Sequence, residues 1–255
     1  MNTTAQYAWL PGPGLATEIA VEWRKAWRQP AFAIPALVFP VMFYLLFTVL
    51  LARRSTSYDV GSWFLASYGA FGVIGPGLFS FGIGLATERD QGFLKWRQVF
   101  PAPMANYFLA KLVVSAVFAL LIVATLLLAA LSVGGVRPTP GQVLELVMVL
   151  GLGSLPFGAL GMAAGAWLKG QSAPGILNGL YLPTAALSGL WFPLFMLPTW
   201  VQQAAIALPP YHLGQLAHTA LGRPDGRTGE HVIALLLTTL LGLWLAARGL
   251  RRRPY

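Results

Sequence analysis

Residues 88–101 read ERDQGFLKWRQVFP. Glu88, Arg89, Asp90, Lys95 and Arg97 crowd into this stretch, although charged residues make up only 10% of the chain and long runs with almost none lie on either side. A segment so charged sits in water. Phe93, Leu94, Trp96, Val99 and Phe100 are interleaved with those charges, and Phe93, Trp96 and Phe100 fall on one face of a helix at i−3, i and i+4. The spacing predicts a short amphipathic helix between two membrane spans, closed by Pro101 and Pro103, with an apolar face that needs a partner.

The surrounding composition fixes the class. A chain of 255 residues that is 56% hydrophobic and 10% charged departs from soluble domains, where about a quarter of residues are charged. An all-α polytopic membrane protein is expected. The net charge of +9 does not point to nucleic acid, because the basic residues are dispersed and gather at the ends of apolar runs, where snorkelling and orientation account for them. The absence of cysteine excludes disulfides, thiolate chemistry and cysteine zinc sites. The first residues lack a basic region followed by an apolar core and a small-residue cleavage site, so no removable signal peptide is expected.

Residues 15–29 place Leu15, Ile19, Trp23 and Trp27 four apart, which predicts a helix lying in the headgroup region with its basic residues near lipid phosphates. Six spans follow, at about 31–52, 60–87, 105–133, 142–168, 174–197 and 231–248. Each is measured against a hydrocarbon core of ~30 Å crossed at ~1.5 Å per residue. In the second, Gly75-Pro76-Gly77 predicts a bend or break, and in the fourth Gly161 and Gly165 offer a small-residue face for close packing. Lys111 is expected to snorkel to the surface. Residues 173–222 carry no formal charge, but Pro174, Pro183, Pro193, Pro198, Pro209 and Pro210 argue against two continuous helices. One span followed by a re-entrant element over 199–221 is expected.

Charge asymmetry orients the whole. With six spans and both termini cytoplasmic, Arg24, Lys25, Arg28, Arg89, Lys95, Arg97, Lys111, Lys169, Arg248, Arg251, Arg252 and Arg253 lie inside, against Arg53, Arg54, Arg137, Arg223 and Arg227 outside. That satisfies the positive-inside rule. The 88–101 loop is then cytoplasmic.

Recognisable chemistry is sparse. Residues 165–172, GAWLKGQS, nearly spell a phosphate-binding loop, but Gln171 stands at the lysine position and no strand precedes it, so no nucleotide site is expected in this chain. His212 and His218 are six apart, off a common helical face, and with His231 they form no HExxH pattern; no metal site is expected. Glu145 and Glu230 sit near span ends, and a Gly-x-Ser-x-Gly elbow is missing. The chain is read as non-catalytic. Aromatic residues remain, and they suit helix packing and interface anchoring; if the chain serves an exporter, Phe43, Tyr44, Phe47, Tyr68, Phe71 and Tyr181 are the candidates to line a path for an amphipathic or lipid-like molecule.

Glu-Arg-x-x-Gly at Glu88, Arg89 and Gly92, followed by Leu94 and Pro101, resembles the first cytoplasmic loop of type-2 ATP-binding-cassette (ABC) exporter permeases. The run Ser188–Pro198, SGLWFPLFMLP, resembles the external end of span five in the same family, and the span pattern extends the resemblance over most of the chain. Phe93 and Lys95 stand where the family often has Thr and Glu. The resemblance implies a coupling helix over 88–101 that docks on a separate ATPase through Glu88, Arg89, Gly92, Lys95, Trp96 and Phe100, helped by Trp23, Arg24 and Trp27. It further implies two permeases, identical or homologous, with two ATPases that hold the ATP and Mg, in the plasma membrane of a bacterium, the inner membrane. A self-contained secondary transporter or channel, and a membrane scaffold that recruits a cytoplasmic enzyme, are the competing classes.

Overall fold

The computed structural model describes residues 12, 14–52, 59–97 and 103–252. Phe100 and Pro101 of the predicted docking helix, and Arg53 and Arg54 of the first loop, lie outside them. Eleven α-helices and no strand occur among the described residues: α1 Leu15–Trp27, α2 Pro30–Ala52, α3 Val60–Asp90, α4 Phe93–Arg97, α5 Met104–Ser132, α6 Pro140–Gly153, α7 Leu155–Trp167, α8 Ala173–Leu187, α9 Thr199–Ala205, α10 Pro209–Ala220 and α11 Thr228–Arg252. Five rods are long and apolar enough to cross a membrane: α2, α3, α5, α6 with α7, and α11.

Helix α3 is the axis of the bundle, and most of its length is buried. Asp59 opens it by accepting a hydrogen bond from the Ser62 backbone N–H at 3.1 Å. It continues as one helix through Gly75-Pro76-Gly77, where a bend or break was expected; the Pro76 carbonyl accepts a hydrogen bond from the Ser115 hydroxyl of α5 at 3.3 Å. Its small residues bring α7 close. Gly161 lies on the backbone of Gly77 and Leu78, and Gly165 on the Phe81 carbonyl and Leu85, so this small-residue face is spent inside the bundle. Gly242 and Gly249 of α11 seat in turn on Ala159–Leu160 and Ala166–Trp167 of α7. Helices α3, α7 and α11 therefore run parallel, and α5 runs against them, with Ile122 beside Gly72 and Lys111 beside Gly84.

The fourth predicted span is a broken rod. Pro156, near the start of α7, lacks an N–H for the carbonyl four residues back, and Ser154 at the joint turns its hydroxyl onto the Gly151 carbonyl at 2.7 Å. The fifth stops ten residues short of Leu197. Gly189, at φ +77°, ends α8 in a Schellman motif, its N–H on the Ala186 carbonyl and that of Leu190 on Ala185. Helix α8 starts beside Gly82, and its continuation reaches the Trp63 end of α3, so the chain is carried back along the bundle in a short helix. A 3₁₀ turn at Leu194–Met196 follows, and α9 and α10 occupy the segment expected to be re-entrant. The bundle has two chemically distinct ends. One carries α1, α4, the start of α5 and the end of α11; the other carries Asp59, Arg137 and the 221–227 loop.

Candidate functional site: the charged end of the bundle

Gly92 makes the corner between α3 and α4 by adopting φ +74°, a conformation a Cβ would strain. The five-residue α4 that follows is pinned from below. Leu94 is buried with Leu85 of α3 and Tyr107 of α5. Arg97 forks onto Glu18 of α1, donating to both carboxylate oxygens at 2.7 and 3.1 Å, and lies over the Tyr107 ring. Phe93 packs under the Lys25 ammonium, 5.1 Å from its ring centre. What remains faces outward: Lys95 is exposed, and Trp96 is 69% exposed.

Beneath α4 four charges close a square. Lys25 donates to Glu22 at 2.8 Å and to Glu88 at 2.9 Å; Lys111 lies 2.9 Å from Glu22 and 3.3 Å from Glu88. The Tyr107 hydroxyl adds a hydrogen bond to Glu88. Each carboxylate thus answers both ammonium groups, and the square ties α1, α3 and α5 together. The Lys111 side chain is only 3% exposed, which corrects the expectation that it would snorkel; two carboxylates supply what water would have. Partial burial pulls the Lys25 ammonium down, but Glu22 and Glu88 outweigh it and its pKa rises.

Arg89 and Asp90 turn the other way. Arg89 donates to the carbonyls of Gly165, Ala166 and Leu168 at the last turn of α7, and Asp90 accepts from the Gly170 N–H at 2.6 Å. A cation capping a helix C-terminus is favourable both to the helix dipole and to the otherwise unpaired carbonyls. Of the predicted docking residues, Lys95 and Trp96 are therefore presented outward and Gly92 shapes the corner, while Glu88 and Arg89 are occupied inside the bundle. Trp23 and Trp27 stack against Phe118 of α5, and Arg24 is exposed. Glu18, Glu22, Tyr107, Lys111 and Asp90 belong to the site without having been singled out from sequence.

Alongside α3 runs a cavity of about 510 Å³, walled by α2, α3 and α8. Phe71 and Tyr181 of the predicted path border it, together with Phe39 and Phe79. The other four are packed elsewhere: Phe43, Phe47 and Tyr68 stack on one another, and the Tyr44 hydroxyl is buried against Gly134. A second cavity of about 470 Å³ lies between α1, α3 and α4, and shares Gln29, Phe79 and Ile83 with the first.

At the opposite end, His212 of α10 and His231 of α11 meet through their Nδ1 atoms at 2.8 Å. His212 Nε2 bonds the Ile206 carbonyl at 3.0 Å and His231 Nε2 bonds Asp225 at 2.7 Å. His218 stands apart, its Nε2 3.1 Å from the Ser67 hydroxyl. No group of three or more metal-ligating side chains occurs among the described residues.

An all-α bundle with five rods long and apolar enough to cross a membrane is the architecture of a polytopic membrane protein. Residues 15–220 match the model of the ABC-2 type transporter family, and the chain belongs to that family. It is also 27% identical over 242 residues, covering 94% of this chain and 97% of the relative, to a Bacillus subtilis (strain 168) protein named "Putative transport permease YvfS". The chain is the permease component of an ABC transporter, a class that works with ATP-binding-cassette subunits.

Proposed function

We propose that this chain is the membrane subunit of an exporter, two copies or two homologous permeases acting with two ATPases that bind and hydrolyse the ATP. The observation that carries the reading is Trp96, exposed on a helix fastened to α1, α3 and α5 at once. Docking there pushes a rigid body and not a loose loop. Both termini and the α4 end face the cytoplasm, since among the described basic residues only Arg137, Arg223 and Arg227 lie at the other end. The chain then crosses six times, with α8 and the segment after it as the short fifth crossing. The substrate is amphipathic or lipid-like and leaves through the aromatic-bordered cavity between α2, α3 and α8.

The test is co-purification of the chain with its ATP-binding-cassette subunit. Trp96→Ala with Lys95→Glu is expected to weaken association at least tenfold while leaving thermal stability within about 0.5 kcal/mol, as for surface changes. Unchanged association together with unchanged substrate-stimulated ATP hydrolysis would remove α4 from the interface.

A further inference from the structure

The two cavities make one groove with a chemical gradient. Phe71, Gly75, Phe79, Ile83 and Thr87 stand four apart on α3, a stripe about 24 Å long at 1.5 Å per residue, and each borders one cavity or both. From Phe71 to Ile83 the stripe is apolar for about 18 Å, close to the depth of one leaflet of a ~30 Å core. From Phe79 toward Gln91 polar groups enter the wall, with Gln29, Ser80, Thr87 and Gln91 beside Glu22, Lys25 and Glu88, and with Ala26, Phe93 and Val114 among them. A lipid-like molecule of the inner leaflet has this polarity, head toward the α4 end and tail toward the midplane.

The charges at the polar end sum to zero and already answer one another. Lys25 is held by Glu22 and Glu88, and Lys111 behind it by the same two carboxylates. An anionic head would compete with two carboxylates for each ammonium, and a cationic head with two ammonium groups for each carboxylate. Either would shed water in a confined site without a free counter-charge. The amide and hydroxyl groups of Gln29, Ser80, Thr87 and Gln91 offer uncharged donors and acceptors instead. The apolar end is kept open by a glycine that packing does not demand: a Cβ on Gly75 would meet only the Phe79 ring, at 3.8 Å.

We propose that this groove binds a single-tailed or lipid-like amphiphile of the inner leaflet whose head carries no net charge, with the tail along Phe71–Ile83 and the head against Gln29, Thr87 and Gln91. The proposal rests on the permease reading above and names the substrate class of that site.

The probes are three diazirine-bearing alkyl amphiphiles of equal chain length, a glucoside, a sulfate and a trimethylammonium, photolysed at trace level with the purified chain in nanodiscs of one fixed lipid composition. Mass spectrometry is expected to place glucoside adducts on residues 71–87 at least fivefold above those of either charged probe. Gly75→Leu, which exchanges glycine for a better helix former, is expected to fold and to cut those adducts at least fivefold. Equal labelling by the charged probes, labelling indifferent to Gly75→Leu, or no adducts on the stripe overturns the proposal. So does a disulfide between two Gly75→Cys chains in the absence of probe, which would show a second copy filling the groove. Binding of the ATPase by the same preparation reads the permease function separately, so a chain that docks its ATPase but leaves the stripe unlabelled loses only the groove.

Discussion

Lys111 Nζ lies 2.9 Å from Glu22 Oε2, and neither side chain is more than 7% exposed. One residue is two turns into α5 and the other is on α1, so the contact joins elements far apart in sequence. Breaking such a pair from one side leaves a buried charge behind. Lys111→Met is expected to cost about 3–5 kcal/mol, and adding Glu22→Gln to return most of it. Thermal unfolding of the single and double variants in detergent measures this; a fully additive double variant would show that the pair is not coupled.

Arg89 caps α7 with a planar fork that lysine cannot reproduce. Arg89→Lys is expected to lose about 1.5–3 kcal/mol of local protection. Hydrogen exchange should accelerate at residues 165–170 and leave α5 unchanged. Uniform acceleration across the bundle would instead mean global destabilisation.

The histidine pair constrains one tautomer. The Ile206 carbonyl only accepts, so His212 carries its hydrogen on Nε2 and presents a bare Nδ1 to His231, whose Nε2 lies 2.7 Å from the Asp225 carboxylate. Burial, and next the charge of His231, push the His212 pKa below its ordinary value, with Asp225 and Glu230 pulling the other way. Partial burial works to raise the Asp225 carboxyl, but the Arg227 N–H and His231 hold it below the usual range. A depressed histidine contributes stability that is complete above its unfolded pKa of about 6.5 and is lost as pH falls through its folded value, at about 1.4 kcal/mol per unit of depression. Unfolding followed from pH 8 to 5 should show this loss. His212→Asn should flatten it, and an unaltered slope in that variant would assign the effect to another group.

Gly161 of α7 and Gly75 of α3 should respond in opposite directions to the same substitution. Gly161→Ala drives a methyl into the backbone of Gly77 and Leu78 and is expected to destabilise by about 1–3 kcal/mol. Gly75→Ala meets only the Phe79 ring, at ordinary contact distance, and is expected to gain up to about 1 kcal/mol from helix propensity. Denaturation midpoints of the two variants moving together would contradict the packing described.

Much of the bundle is legible in the charge-free runs, because a long stretch without hydration sites has few places to go. The four-residue spacing of Leu15, Ile19, Trp23 and Trp27 likewise gives α1 to within two residues. Local terminators are a weaker signal: Pro156 and Gly189 interrupt helices, but hydropathy runs past both. The inward turn of Glu88, Arg89 and Lys111 was illegible for a different reason. A charge in sequence reports nearness to water and says nothing of which neighbour will stand in for it. The His212–His231 pairing also escapes spacing rules, since those compare positions on one helix and these residues belong to two.

The corner at Gln91 and Gly92 leaves only two residues of slack between the end of α3 and the seat of α4. A connection so short has almost no compliance, so displacement applied at Trp96 reaches the α3 axis nearly undiminished. Because Arg89 ties α3 to α7 one turn away, any displacement of α3 would be shared at once with α7. Lengthening that corner by even a few flexible residues would turn a piston into a tether.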